Sequence, residues 1–277
     1  MTLRPSVPRV VLLCHERDRL DREGLAHWLA SSVDLAGIVS ICEPRRRVLM
    51  VARREWRRSG ILGVADAAAW RLFYRLRMER EDAEWTGHEV ARLIRRYPAD
   101  LSSVPVLTVE SPNGAETSAF LRAVAPDLMV ARCKILLRPE IFGAPRLGTY
   151  VLHPGICPEY RNAHGCFWAL SRGDLARVGM TLLRVDAGVD TGAVFLQASC
   201  RFDPRRESPL RIQYRVVTHN LDAIAHKLTE IVAGEAEPIV TAGRVSAVWG
   251  QPRLTAYWRG KRAATKETHA SRLAPVP

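Results

Sequence analysis

Residues 149–165 read TYVLHPGICPEYRNAHG, a short apolar run that ends on His153 and then breaks into a loop marked by Pro154, Gly155 and Pro158. A strand that delivers a histidine at its end presents Val151 and His153 on one side, because side chains alternate along an extended chain. The runs RVVLLCH, LAGIVSICE, VPVLTVE and PDLMVARC have the same short, continuous apolar character, and between them lie amphipathic stretches such as DREGLAHWLASS and AETSAFLRAVA. That alternation predicts an α/β, Rossmann-like fold: a largely parallel sheet covered by helices on both faces. In such sheets functional groups collect at the carboxyl ends of the strands, where His153 stands.

Composition narrows the function classes. Hydrophobic residues make up 47% of the 277 and charged residues 25%, as in a globular protein. No apolar run reaches the roughly 18 to 20 residues that span a bilayer. The six cysteines, Cys14, Cys42, Cys133, Cys157, Cys166 and Cys200, form no CxxC pair, so a reducing, cytoplasmic location is expected. After the first strand stands LLCHERDRLDREG, without a glycine-rich phosphate loop, which argues against a dinucleotide bound in the usual way. His153, Cys157, His164 and Cys166 match no common zinc spacing, so no metal is expected. A net charge of +12 points to an anionic partner, or to a solvated arginine-rich surface.

Two regions depart from the α/β alternation. Residues 44–98 form an insert that opens with PRRRVLMVARREWRRSG and continues with Ile61, Ala65, Ala69, Leu72, Phe73 and Leu76 at helical spacing. This predicts one or two basic helices, either docking on phosphates or anionic headgroups or packed onto the domain by that apolar stripe. Further on, residues 208–235 read as one long amphipathic helix stopped by Gly234. The expected division is a catalytic unit over 1–235 and, over 236–277, a small β appendage with a tail that is mobile from about Thr265.

The segment from Val151 to Gln197 carries HPxxxPxYR, a WAL helix followed by GD, GMTLLRVD and DAGVDTG. It resembles the hallmark region of the formyltransferase superfamily, which includes methionyl-tRNA, glycinamide ribonucleotide and sugar N-formyltransferases; the likeness extends upstream through PDLMVARCKILLRPEIF. The resemblance implies 10-formyltetrahydrofolate as donor and an active site of Asn, His and Asp. His153 matches the His and Asp190 the Asp, both suited to moving a proton and stabilising an oxyanion. Where the Asn is expected, two residues before the His, stands Val151, which donates no hydrogen bond.

Asn162 and His164 form a second N-x-H and are the first candidates to contact the oxyanion or substrate in its place. For Asn162 the alternative is a left-handed turn position. Two loops would hold the pterin ring, largely by backbone groups, at Lys134, Ile135 and Leu137 and at Val185 and Asp186. The acceptor implied is a primary amine of a small molecule, such as an amino sugar or a natural-product intermediate. Nucleic acid is not favoured, because the chain after the main helix reads as short for the additional barrel of the tRNA enzymes, although the basic insert argues for it. A folate-binding protein without transferase activity is the remaining reading, prompted by Val151.

Overall fold

In a computed structural model, which describes residues 7–44 and 47–273, the alternation seen in the sequence becomes a seven-stranded sheet. The first half of the chain forms β1 (Arg9–His15), a π-helical turn (Leu20–Leu25) running into α1 (Ala26–Ser32), and β2 (Asp34–Ile41). The insert then forms α2 (Arg47–Arg77) and α3 (Glu79–Arg96). There follow β3 (Val106–Val109), α4 (Ala115–Val124), β4 (Leu128–Arg132), α5 (Pro139–Phe142) and β5 (Thr149–His153). After these come β6 (Arg161–Asn162), α6 (Gly165–Ser171), β7 (Met180–Arg184), β8 (Val194–Ala198), α7 (Pro209–Thr218), α8 (Leu221–Ala233), β9 (Val248–Trp249) and α9 (Leu254–Leu273).

The strand order is β3-β2-β1-β4-β5-β7-β8. The first five strands run parallel, and β5, β7 and β8 pair antiparallel. The expected largely parallel sheet is therefore present. Alternation sorts each strand between two cores: Val10, Leu12 and Cys14 of β1 face the layer of α1, α3, α6, α7 and α8, while Val11 and Leu13 face α4 and α5. Chain order reverses between β1 and β4, which opens a crevice beyond their carboxyl ends. His153 lies one strand away from that crevice.

Three regional expectations change. The long helix after Ser208 is two helices: Asn220 interrupts it by donating its side-chain amide to the carbonyls of Val216 at 2.7 Å and Ser199 at 3.1 Å. Gly234 does stop α8, at φ 74°.

Over its described residues, 236–273, the last region is not a small β appendage. It contributes the two-residue β9, paired in parallel with β6, and then α9, which packs on α2 and α6. The physical reason lies in Tyr257 and Ala256, which bury against Trp70 and Phe167 and give the segment an apolar face to hide. The stretch expected to be mobile from Thr265 is helical as far as Leu273; residues 274–277, like Arg45 and Arg46 of the insert, lie outside the described residues.

The third change concerns α2, whose apolar stripe packs only in part: Phe73 meets Trp70 and Tyr257, and Ala69 is half-buried. Gly63, Ala67 and Trp70 face inward, whereas Ile61, Leu62, Leu72 and Leu76 are 59–82% exposed. Trp70 packs among Tyr74, Phe167 and Tyr257, and these larger rings outcompete the aliphatic stripe for the interior.

The insert is tied to α7 of the main α/β unit through Asp82 of α3, a buried carboxylate. It accepts from Tyr74 Oη at 3.1 Å and Ser208 Oγ at 2.5 Å, and Arg211 lies 3.3 Å away. Ser208 also caps α7 by accepting the Arg211 N–H at 3.0 Å. Asp82→Ala strands those partners and is expected to lose about 3 kcal/mol in urea unfolding. Asp82→Asn, which keeps the shape and some of the hydrogen bonds, should lose roughly half as much.

Candidate active site

The loop that follows β5 folds back so closely that no side chain fits at its two glycines. A Cβ on Gly155 would meet the Gly165 Cα at 2.8 Å and His153 Nε2 at 2.7 Å. This approach sets the Tyr160 carbonyl 2.7 Å from His153 Nε2, so that nitrogen carries the proton and donates it. On the other side of the ring, Nδ1 faces Asp190 Oδ2 at 3.5 Å.

Asp190 is aimed by backbone. Its own φ is 50°, and its Oδ2 accepts the Asn162 N–H at 2.7 Å. Arg161 donates to the Val189 carbonyl at 3.1 Å, so β6 clamps the loop that carries Asp190 at two adjacent points. Within that loop, Asp186 Oδ1 accepts from the Gly188 N–H at 2.9 Å and from Thr191 Oγ1 at 2.7 Å, while the Val185 N–H donates to the Thr149 carbonyl at 2.7 Å.

His153 and His164 are driven to opposite charge states. Burial disfavours a charge on His153, but the Asp190 carboxylate outweighs it, with help from Cys157 and the Tyr160 carbonyl, and its pKa is raised to about 10. His164 caps α6 in a left-handed conformation, φ 57°. Burial first, and then the charges of Lys134, Arg71 and His153, push its pKa down to about 3 against a hydrogen bond with Gln213. At neutral pH the pair is thus one imidazolium donor and one neutral imidazole.

Asn162 does not present its carboxamide to His153. Its side chain donates to the Trp249 carbonyl on β9, and its φ of 73° is the left-handed turn position weighed from the sequence. Val151 is half-buried and packs against Cys157, Leu183 and Val194. Lys134 and its neighbours flank the crevice: the Lys134 N–H donates to His15 Nε2 at 3.1 Å, and Asn113 bonds the Leu136 carbonyl at 2.9 Å and the Arg138 N–H at 2.8 Å. Leu137 is buried against α4 and α5 with Ile135 beside it, and Leu136 is exposed.

Several groups of this site have no sequence signature. The Tyr160 carbonyl is a backbone atom, and His15, Asn113 and Gln213 reach it only through folding. The buried Arg132–Asp21 pair, 2.9 Å apart, lies at the carboxyl end of β4, where Arg132 also donates to the Leu152 carbonyl at 2.5 Å, next to His153. Burial holds the Asp21 carboxyl above the usual carboxylate range, against the pull of Arg132. An arginine closing the apolar run LMVAR was the one available hint. Among the described residues, no group of three or more His, Cys, Asp or Glu side chains could hold a metal ion.

The raised His153 pKa has a signed consequence for stability. Its charge contributes fully below the ordinary value of 6.5, and the contribution is lost as pH climbs through about 10. By NMR, His153 is expected to titrate well above pH 8. In Asp190→Asn the midpoint should fall well below that of the wild type, since only Cys157 and the Tyr160 carbonyl then oppose burial. A wild-type midpoint near 6.5 would remove the assigned charge.

The sequence matches the family described as formyl transferase over residues 82–228. Among curated relatives, the methionyl-tRNA formyltransferase of Thermotoga maritima is 30% identical over 152 residues, which is 54% of this chain and 48% of that protein. That of Cyanothece sp. is 34% identical over 126 residues, 45% and 37% respectively. The chain therefore spans about half the length, or less, of these curated relatives.

Among solved structures, phosphoribosylglycinamide formyltransferase from Anaplasma phagocytophilum superposes with a TM-score of 0.54 at 16% identity, over 89% of this chain and all of that one. A sugar N-formyltransferase from Shewanella sp. gives 0.53 at 13% identity, over 92% and 87%. At such identities the likeness is one of fold. The match over more than half of the chain, centred on the strand and loops that hold His153 and Asp190, makes the chain a member of the formyl transferase family.

Proposed function

We propose that this chain transfers the formyl group of 10-formyltetrahydrofolate to a primary amine of a small molecule, an amino sugar or a natural-product intermediate. The observation that carries the reading is the His153 imidazole, held between the Tyr160 carbonyl and the backbone-aimed Asp190 at the end of β5. In the transfer, the amine nitrogen bonds to the formyl carbon, the bond from that carbon to the donor nitrogen breaks, and the proton leaving the amine goes to the departing nitrogen.

With Nε2–H held by the Tyr160 carbonyl, the His153 imidazolium has only Nδ1–H, 3.5 Å from Asp190, to turn to the oxygen that gains charge, and Asp190 keeps the ring charged and oriented. The Lys134–Leu137 and Val185–Asp190 loops suit the donor because each is pinned from outside, by His15 and Asn113 in one case and by Thr149, Arg161 and Asn162 in the other. Their backbone groups are thus ordered before a ring arrives. The exposed Leu136 offers that ring an apolar surface.

Val151 leaves the imidazolium without the neighbouring amide that the family pattern supplies. Losing one such donor costs on the order of 100- to 1,000-fold in rate. A slow enzyme, or one whose acceptor contributes its own donor to the oxyanion, is the physical expectation. A methionyl-tRNA acceptor is the second reading, favoured by the names of the curated relatives and by the arginines of α2.

The test is release of tetrahydrofolate from 10-formyltetrahydrofolate in the presence of a panel of small amines and of methionyl-tRNA. His153→Gln is expected to slow turnover on a small amine by at least about 100-fold, with donor affinity little changed. Turnover on methionyl-tRNA alone, falling steeply with salt, would replace the small-molecule reading. Tight donor binding with no turnover on any acceptor would leave a folate-binding protein.

A further inference from the structure

The outward face of α2 combines two properties that ordinary surfaces keep apart. Ile61, Ala65, Ala68, Leu72 and Leu76 recur at spacings of four, three, four and four, so they form one stripe along the helix, and all five are exposed. Leu62 widens that stripe. Ahead of the Gly60 kink, where φ is 68°, the first arm carries exposed Leu49, Met50 and Trp56 of its own. Exposed arginines border this surface, Arg53, Arg54 and Arg57 on the first arm and Arg75 and Arg77 on the second, whereas Arg58 and Arg71 are held on the other side by the Val248 carbonyl and by Gln251.

The opposite face of the helix is already satisfied. Glu55 is buried and bonded to Ser59 and Arg253, Asp66 accepts from Thr255, and Trp70 packs against Tyr257 and Phe167. These two are the only acidic residues of α2, and both are engaged on the inward side. The outward face therefore carries aliphatic and cationic groups with no carboxylate among them.

We propose that this face docks on an anionic lipid bilayer. A second copy of the chain would bring two arginine-bordered faces together with no acid on α2 to neutralise them. Nucleic acid would engage the arginines but has no use for a continuous row of Ile and Leu. A bilayer surface accepts both parts, with the aliphatic stripe sinking below the headgroups and the guanidinium groups meeting their phosphates. No helix among the described residues is long and apolar enough to cross a membrane, so α2 lies on the surface. Trp56, and Trp258 whose ring meets Phe73 at 5.5 Å, are both exposed and suited to the headgroup level.

The experiment is cosedimentation of the full chain with vesicles of phosphatidylcholine alone or containing phosphatidylglycerol. Binding to the anionic vesicles is expected, at least about tenfold stronger than to neutral ones. The double substitution Leu72→Glu and Leu76→Glu should weaken it by at least about tenfold, with an unchanged urea midpoint because both side chains are exposed. Leu72→Gln and Leu76→Gln serve as the uncharged control and should weaken binding in the same direction.

Absence of binding to anionic vesicles would overturn the proposal. So would binding that moderate salt abolishes and the leucine substitutions leave intact, since net charge alone would then account for it. A dimer in sedimentation velocity that the same substitutions dissociate would assign the face to a second copy. Retention of tRNA in place of vesicles would assign it to nucleic acid, and either result overturns the bilayer.

Discussion

No Cβ fits between the backbones of Gly155 and Gly165, and that steric constraint brings the Tyr160 carbonyl to within 2.7 Å of His153 Nε2. The remaining geometry of the site follows from it. With Nε2 committed to a backbone acceptor, the second nitrogen of the ring points toward Asp190, and the short β6 that ends the loop is placed to aim Asp190 through the Asn162 N–H. The same loop then enters α6, whose Phe167 and Trp168 anchor it in the main core. One close backbone contact thus couples the reactive end of β5 to the packing of the helix layer.

Charge in the site is set by competition between burial and neighbours. Both histidines lose solvent, which disfavours the imidazolium in each. His153 has a carboxylate against it and stays charged; His164 has Lys134, Arg71 and His153 around it and stays neutral. Neither state follows from residue type, and each arises from elements far apart in sequence. The buried Arg132–Asp21 pair, linked to the Leu152 carbonyl, extends this polar network under the crevice at the reversal of strand order.

The insert and the last helix illustrate where pattern reading stops. Helical periodicity in residues 47–77 was legible, but both faces of α2 carry apolar groups, and periodicity does not say which one wins the interior. The aromatic cluster of Trp70, Phe167 and Tyr257 decides it, and Tyr257 comes from a segment whose sequence suggested strands. Asn162 was similarly double-valued. The sequence offered it as a contact to the oxyanion or substrate and as a left-handed turn residue, and the pairing of β6 with β9 makes it the turn, with its carboxamide on the Trp249 carbonyl.

The sequence by itself determined the parallel α/β architecture, the family, and the positions of His153 and Asp190, because strand periodicity and short motifs are local properties of the chain. It also determined that Val151 stands two residues before His153 on the same side of the strand. Only the tertiary structure decided the charge of each histidine, the partner of Asn162, and which face of α2 meets solvent. Those depend on contacts between residues dozens to hundreds of positions apart, and on a contest between burial and Coulombic attraction that no local pattern encodes.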